Sequence, residues 1–547
     1  MKKFGILLLM LLTVFLSAYS EEIKYGGVMK VGLSSGLTLR NYNPWSAGNT
    51  LYGTYLIYEP LIIIDPLTGN ETYWLAESYE WQNNNLDLVF HLRKNVNWSD
   101  GEPFTANDVA FTFNMFKKYP SMDLPNFWDG TIDSVKVEDL YTIVIKFKEP
   151  NVLKLYEIAP ILIVPEHIWS KIEDPSTFAN PDPVGTGPFL FKNFDSILAM
   201  ETYVKNKNYW QKGKPYIDGI EITNYKTNDA NLAAIASGQL DWSSTFVPDV
   251  EKTFINRDPK NNKVWITQGA AVALHYNVTK YPFTQKEFRK AIAMAINKER
   301  IAKLATFGYT PPAHPTALQP GHIDEWFYKP LQPLVYSYNP TESVKILEEL
   351  GLKKDSEGFF INPQTNKPFS FEIMVVSGWT DWVQTANLIS EDLKAIGIKS
   401  NVNPVAYGQY AQSLYTGMFD FTLGGPGAQA NPYFYYNFFL NSENTAPTAE
   451  PAYAGNFERW MDPVADVVLS LFKKSPDSEI QKRCSAVLEM IMLTDIPVIP
   501  LFYTPQVELY STKRFDGWPS EEDPYNAGLV PWYSGVLLTT GINVHLK

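Results

Sequence analysis

Helical and extended patterns alternate along the whole of this 547-residue chain, and that alternation limits the possible folds more than any other feature. Thr105 with Asp108, and Thr284 with Glu287, have the spacing of capping boxes, and each pair precedes an amphipathic helical pattern. A further helix is predicted over 381–396; it ends at a glycine and is followed by an alternating strand. Such alternation favours α/β organisation, and the length corresponds to roughly three or four domain-sized units.

The first residues have the pattern of an export signal. Lys2 and Lys3 precede 13 apolar residues (4–16), and small residues follow up to Ser20. A run of this length is too short to span a bilayer as a helix, which takes roughly 20 residues. We therefore interpret residues 1–20 as a signal peptide, cleaved near Ser20, of a periplasmic protein.

Cysteine content and charge restrict the class of protein further. The one cysteine, Cys484, excludes an intrachain disulfide and lies far from the cleavage site, so no lipid anchor is expected. The sequence contains no second long apolar stretch that would predict membrane insertion. The formal charge of −13 argues against a nucleic-acid partner, because phosphate binding needs clustered Lys and Arg. The expected mature protein is an unanchored monomer.

A series of short motifs follows in a fixed order along the chain. They are Tyr58-Glu59-Pro60-Leu61, Leu75-Ala76-Glu77-Ser78, Phe90-His91-Leu92-Arg93-Lys94, Asp100-Gly101-Glu102-Pro103-Phe104-Thr105-Ala106-Asn107-Asp108-Val109, Val184-Gly185-Thr186-Gly187-Pro188, Asn208-Tyr209-Trp210, Ser237-Gly238-Gln239-Leu240-Asp241 and Phe288-Arg289-Lys290-Ala291-Ile292-Ala293-Met294-Ala295-Ile296-Asn297. The series resembles family 5 of the extracytoplasmic solute-binding proteins of ABC transporters, a group that binds peptides, nickel or oligosaccharides.

The resemblance implies a two-lobed periplasmic-binding-protein fold with central mixed sheets, a hinge between the lobes and an inserted extra subdomain. It also implies ligand binding without turnover, so no enzyme, and the permease subunits of an ABC importer as partners. By analogy, the expected divisions are lobe I at 21–64, 184–274 and 505–547, the inserted subdomain at 65–183, and lobe II at 275–504.

Motifs for catalysis or metal binding are missing from the sequence. There is no Gly-x-Ser-x-Gly, His-Glu-x-x-His or P-loop pattern, and the six histidines are spread singly. His314 and His322, eight residues apart in a Pro-rich loop, are expected at the surface. We therefore expect no catalytic residue, no metal site and no cofactor. A secreted glycoside hydrolase stays open, because 59 acidic residues could always supply a carboxylate pair.

One loop carries the prediction of ligand class. In peptide-binding members of the family, an aspartate in a lobe II loop meets the amino terminus of the peptide. The corresponding loop here, 424–432, has no acid, and no charged residue occurs from 421 to 442. Aromatic residues make up 14% of the chain, and they suit sugar rings, whose C–H faces stack on Trp and Tyr. We predict a neutral oligosaccharide of β-gluco or manno type, with an oligopeptide as the alternative.

Most candidate ligand-binding residues end or follow a strand or lie in the uncharged loop, whereas Trp460 lies where the family pattern implies a segment alongside the cleft. They are Trp45, Trp242, Trp379, Trp382, Gln429, Asn431, Tyr433 and Trp460. Each tryptophan is equally compatible with packing in a core. If the ligand were a peptide, Asp381 and Glu458 would be the nearest acids to meet its amino terminus.

Overall fold

The computed structural model describes residues 23–33, 41–46, 53–526, 528, 531 and 535–547. The predicted signal peptide lies outside this part of the chain. The strands are β1 (Val28–Leu33), β2 (Ile62–Ile64), β3 (Glu71–Tyr73), β4 (Ala76–Gln82), β5 (Asp87–Leu92), β6 (Ile132–Asp139), β7 (Thr142–Phe147), β8 (Phe189–Asp195), β9 (Met200–Lys205), β10 (Gly219–Asn224), β11 (Trp242–Ser244), β12 (Asn262–His275), β13 (Ile361–Asn362), β14 (Lys367–Pro368), β15 (Ser370–Val376), β16 (Lys399–Val405), β17 (Phe421–Gly424), β18 (Ile499–Ser511), β19 (Phe515–Asp516) and β20 (His545–Leu546).

Helices occur between most of these strands, as the alternating pattern predicts. They are α1 (Thr54–Ile57), α2 (Ala106–Lys118), α3 (Leu155–Ile158), α4 (Glu166–Trp169), α5 (Asn228–Ala236), α6 (Val250–Thr253), α7 (Lys286–Ala295), α8 (Lys298–Leu304), α9 (Pro320–Trp326), α10 (Pro340–Glu349), α11 (Thr380–Ala395), α12 (Tyr407–Thr416), α13 (Pro432–Leu440), α14 (Pro463–Lys474), α15 (Ser478–Thr494) and α16 (Val536–Asn543). The structure confirms the α/β class.

A mixed ten-stranded sheet forms the framework, in the order β16-β15-β17-β12-β18-β11-β1-β10-β9-β8. The two longest strands, β12 and β18, pair antiparallel at its centre and pass from one half to the other. Each of the two strands has a different second neighbour near its C-terminal end: β17 pairs with the end of β12, and β11 pairs with the end of β18. The two lobes therefore share one continuous sheet.

The central strand pair is irregular where it crosses between the lobes. The β12–β18 register shifts between Gln268 and Ala271, and again after Val272. Gly269 lies at the first shift, and a Cβ atom there would fall 2.6 Å from Nε2 of Gln506. A side chain at this position would therefore displace the terminal amide of Gln506.

The predicted domain boundaries stay predictions, and we use the names lobe I, lobe II and inserted subdomain for those ranges. The inserted subdomain contains a separate four-stranded antiparallel sheet, β4-β5-β7-β6. Helix α2 lies against it, with Val109, Phe113 and Phe116 buried. The predicted capping box is confirmed at Thr105 and Asp108, where each side chain bonds a backbone N–H near the start of the helix.

Two other helix predictions have different outcomes. The helix over 381–396 is confirmed as α11, and Gly397 follows it at φ 89°, in the left-handed region that favours glycine. The capping box at Thr284 is wrong, because α7 begins at Lys286, and Gln285 precedes it without a side-chain cap.

Cys484 lies buried in α15 as expected. Among the helices in the described ranges, none is long and apolar enough to cross a bilayer.

Several aromatic residues of the family-like motifs form a cage around one buried carboxylate. Glu59 accepts hydrogen bonds from the indole N–H of Trp74 (2.6 Å), the hydroxyl of Tyr209 (2.7 Å) and the indole N–H of Trp210 (3.0 Å). Burial raises the pKa of Glu59 to about 7, although these donors oppose the shift. The cage joins lobe I to the inserted subdomain, so these tryptophans have a structural use.

Candidate ligand-binding cleft

The C-terminal ends of three lobe II strands meet at one edge of the sheet. Strand β15 pairs parallel with both β16 and β17. The segments that follow these strands therefore lie side by side, where α/β folds commonly place ligands. They begin at Ser377, Ala406 and Gly425, and they include the uncharged loop.

An aromatic cluster stands on this edge. The rings of Trp379 and Trp382 meet edge to face at 4.8 Å, and Trp379 lies 6.0 Å from Tyr407. Tyr410 joins the cluster and donates its hydroxyl hydrogen bond to the carbonyl of Leu423, which precedes the loop. Tyr407 is 49% exposed, and both tryptophans are partly exposed. The cluster therefore exposes aromatic surface near the start of the loop.

A cavity of about 400 Å³ lies next to the loop, between the inserted subdomain and lobe II. We call it the cleft cavity. Its lining residues are mostly apolar, aromatic or amide side chains, and come from both sides: Ile64, Pro66, Tyr156, Glu157, Pro160, Ala428, Gln429, Ala430, Phe434, Asn437, Phe438 and Ala454. Rings from the two sides meet edge to face where Tyr156 lies 6.1 Å from Phe434. The cavity therefore has aromatic surface on both walls.

The polar groups of the cleft cavity keep hydrogen-bonding capacity. Oδ1 of Asn437 accepts from the Tyr433 hydroxyl and from Asn441, which leaves its Nδ2 as a free donor among the described residues. The amide of Gln429 and the hydroxyl of Tyr156 form no hydrogen bond within the same ranges. Neutral donors and acceptors of this kind match sugar hydroxyls, which can both donate and accept.

Among the described residues that line the cleft cavity, Glu157 is the one carboxylate, and it is paired. Nζ of Lys154 lies 2.5 Å from Glu157 and 3.2 Å from Asp129. Burial raises the pKa of Glu157, and Lys154 offsets part of that shift. Burial alone would lower the pKa of Lys154, but the two carboxylates hold it above its usual value. The lysine therefore stays charged and Glu157 has a fixed partner.

The loop residues predicted as ligand contacts divide into two kinds. Gln429 lines the cleft cavity. Asn431 caps α13, because its Oδ1 accepts from the backbone N–H of Tyr433. Tyr433 is buried in the lobe II core against Phe472, although its hydroxyl reaches the cavity residue Asn437. The cap and the core position account for Asn431 and Tyr433 without a ligand.

The predicted lobe I tryptophans belong to its core. Trp45 is 8% exposed and meets Phe116 edge to face at 5.0 Å. Trp242 was expected at the end of its strand, but it opens β11, so its ring lies inside the sheet region with no exposed surface, near Trp518. In this arrangement of the lobes, Trp242 has no surface to offer a ligand.

Trp460 lies apart from the cleft. It borders a second depression, of about 540 Å³, together with Val278 and Arg289. These residues follow the end of β12, which runs antiparallel to β17, so the depression is at the opposite edge of the lobe II sheet. The structure pairs Trp379 with Trp382 at the ends of the lobe II strands and places Gln429 on the cleft cavity. Trp45, Trp242 and Trp460 lie elsewhere.

The acids and histidines named from the sequence also have definite places. Asp381 lies in the first turn of α11 near Trp379, and burial raises its pKa to about 6. Glu458 is fully buried 3.0 Å from the ring of His275, so it faces the interior. The expectation of surface histidines is wrong for His322, which is buried, whereas His314 is partly exposed. Burial lowers the pKa of each to about 4. No group of three metal-ligating residues occurs in the part of the chain that the structure describes.

Sequence reasoning missed the contribution of the inserted subdomain. Tyr156 and Glu157 belong to a segment far from the loop in sequence, and no spacing connects the two. Tyr407 could have been predicted from the sequence, because it lies two residues after the end of β16, at the same edge of the sheet as Trp379. Phe434 and Asn437 follow the loop directly, on α13.

Comparison with known proteins shows the class. Residues 71–447 match the family model of bacterial extracellular solute-binding proteins, family 5 (middle). The chain belongs to this family, and the two-lobed fold expected from the resemblance is confirmed.

Individual relatives extend the comparison. A mannohexaose-bound periplasmic oligopeptide-binding protein of Thermotoga maritima is 31% identical, with a TM-score of 0.85 over 95% of this chain and 98% of that one. A probable ABC transporter-binding protein of Deinococcus radiodurans is 29% identical over 399 residues, 65% of this chain and 64% of that protein. A putative ABC transporter peptide-binding protein of Brucella ovis is 28% identical over 327 residues, which are 57% of this chain and 58% of that protein. The chain thus spans less than two thirds of these last two relatives.

Proposed function

We propose that this protein is the extracytoplasmic solute-binding component of an ABC importer and that it captures a neutral oligosaccharide of β-gluco or manno type. The observation that carries the proposal is the lining of the cleft cavity. It combines aromatic surface with free amide groups, and its carboxylate already has a lysine partner.

The chemistry of the two ligand classes separates them. A sugar ring presents an apolar C–H face to an aromatic ring and hydroxyls to amides, and it brings no charge. A peptide brings charged termini, and burying an unpaired charge is costly. The described lining residues include no Lys, Arg or His to meet a peptide carboxylate. The relative with mannohexaose bound, at 31% identity, also supports a sugar.

The proposed mechanism is capture followed by closure. The oligosaccharide stacks on Trp379, Trp382 and Tyr407, and its hydroxyls bond Gln429 and Asn437. The lobes then close about a hinge that we propose at the strand irregularity, 268–271. The closed form presents its ligand to the permease subunits. The protein acts in the periplasm and performs no chemical step on its ligand.

Binding measurements on the full chain without its predicted signal peptide test the proposal. Titration with cello- and manno-oligosaccharides, followed by tryptophan fluorescence and by melting temperature, should give saturable binding. Di- to pentapeptides are the comparison. Response to peptides alone would reject the sugar assignment. Product analysis of the same mixtures should show intact oligosaccharide, and shorter products would support the glycoside hydrolase alternative.

An oligopeptide is the second candidate, and two observations favour it. The Brucella relatives carry the name putative peptide-binding protein. In addition, Glu157 places a carboxylate on the cavity wall, where it could meet a peptide ammonium group. That contact would need Glu157 to share its charge between the ligand and Lys154. Comparing free and acetylated peptides of the same sequence tests it, because acetylation should abolish binding that depends on the ammonium group.

A further inference from the structure

We infer that the inserted subdomain sets ligand specificity through Glu157, which selects neutral over acidic oligosaccharides. The inference rests on the proposed function, since it concerns the sugars that enter the same cavity. It assigns a recognition role to the subdomain that packs beside the two lobes.

Position is the first argument. Glu157 lies in α3, and its side chain is about one-third exposed, on the lining of the cleft cavity opposite Gln429 and Asn437. One of its oxygens, Oε2, accepts from Lys154. The other forms no hydrogen bond within the described ranges. Glu157 is therefore held in place by one oxygen and can accept a sugar hydroxyl with the other.

Charge is the second argument. Within ion-pair distance, Lys154 serves two carboxylates, Glu157 and Asp129, and is itself buried. Lys473 adds positive charge only from a longer distance. No cation lies on the described lining of the cavity. A ligand carboxylate entering there would be desolvated beside Glu157 without a partner, which opposes its binding.

The inserted subdomain is positioned to hold this wall against lobe II. Leu153 packs into the lobe II core near Tyr433, and Glu149 forms an ion pair with Lys474 at 2.8 Å. The Glu149 pair is partly exposed and lies outside the cleft cavity. Glu149 thus offers a matched control, because it is an acid of the same subdomain that meets lobe II without lining the cavity.

The test uses neutral hexamers and their uronate counterparts. Mannohexaose and hexamannuronate, and cellohexaose and its uronate form, differ at each ring by a carboxylate in place of a hydroxymethyl group. Wild type, Glu157→Gln and Glu149→Gln are titrated by calorimetry, with circular dichroism as the check of folding. We expect wild type to prefer a neutral hexamer by at least ~100-fold. Glu157→Gln should weaken the affinity for a neutral hexamer by ~10-fold, and it should reduce the ratio of neutral to acidic affinity by at least ~10-fold.

The outcomes separate the two proposals. If wild type binds a neutral hexamer and folded Glu157→Gln keeps the wild-type preference, the inference is overturned and the proposed function stands. The inference also fails if Glu149→Gln narrows the preference equally, since the effect would then not come from the cavity. If wild type binds peptides and no sugar, the proposed function fails and the inference fails with it.

Discussion

Glu489 provides a quantitative test of how burial controls charge in lobe II. Its side chain on α15 has no exposed surface. Oε1 accepts from the hydroxyl of Ser485 at 2.8 Å, and Oε2 accepts from the backbone N–H of Tyr328 at 2.9 Å. Burial raises the pKa from 4.5 to about 7, although both hydrogen bonds oppose the shift. The acid is therefore neutral in the folded protein below pH 7.

The raised pKa has a definite sign for stability. Below pH 4.5, Glu489 is protonated in both the folded and the unfolded chain, so its contribution is constant. Between pH 4.5 and about 7, the unfolded chain ionises while the folded one keeps its proton, so the free energy of unfolding falls as pH rises. A pKa of about 7 in the folded chain, against 4.5 in the unfolded chain, corresponds to a loss of about 3 kcal/mol in the free energy of unfolding above pH 7.

The substitution Glu489→Gln should remove that loss. Glutamine has the same shape, its Oε1 can accept from Tyr328, and its Nε2 can donate to Ser485, whose hydroxyl can reverse. We expect the variant to match wild type at pH 4.5 and to exceed it by about 3 kcal/mol at pH 8.5. Urea unfolding at both pH values measures the difference.

Glu348 supplies the control, since it is exposed on α10. Glu348→Gln should change the free energy of unfolding by less than about 0.5 kcal/mol at either pH. If Glu489→Gln instead lowers stability at pH 8.5, the wild-type carboxylate is ionised and stabilising there. The argument from desolvation would then be refuted.

Four further substitutions test the site and the framework. Trp379→Ala should weaken oligosaccharide binding about fivefold, which is equivalent to about 1 kcal/mol of stacking. Trp242→Phe should leave the affinity unchanged and lower the melting temperature, because Trp242 is buried. Fluorescence titration measures the affinity, and calorimetry measures the melting temperature. Glu59→Leu removes the acceptor of the buried donors of Trp74 and Tyr209 and of the partly buried donor of Trp210. It should lower the free energy of unfolding, measured in urea, by at least about 3 kcal/mol. Thr105→Ala removes a capping box and should cost about 1 kcal/mol, and a larger loss would show a further role.

The sequence allowed prediction of features that depend on neighbouring residues. The capping box at Thr105 and the helix end at Gly397 depend on residues a few positions apart, and both predictions are confirmed. The motif order indicated the family, which the family match confirms. The capping box at Thr284 failed because residues 281–285 form a turn before α7, and a capping pattern does not show where the helical dihedrals begin.

Features that depend on distant contacts could not be predicted. Trp242 was expected at a strand end, but pairing with β18 and β1 starts β11 at that residue, and strand limits follow from partners. The cavity wall at Tyr156 and Glu157 comes from a segment more than 260 residues away from Gln429. Only the packing of the inserted subdomain on lobe II brings these residues together.

The excess of aromatic residues is therefore divided between two uses, and the division sharpens the ligand argument. Trp74 and Trp210 enclose Glu59, and Trp242 lies in a core, so composition alone overstates the aromatic surface available to a ligand. What remains is placed by topology, because Trp379 and Tyr407 stand where parallel strands end together. An uncharged loop beside such a surface favours a ring-shaped neutral ligand over a charged chain. On our inference, Glu157 of the inserted subdomain then gives the site its preference for a neutral sugar over the acidic analogue of that sugar.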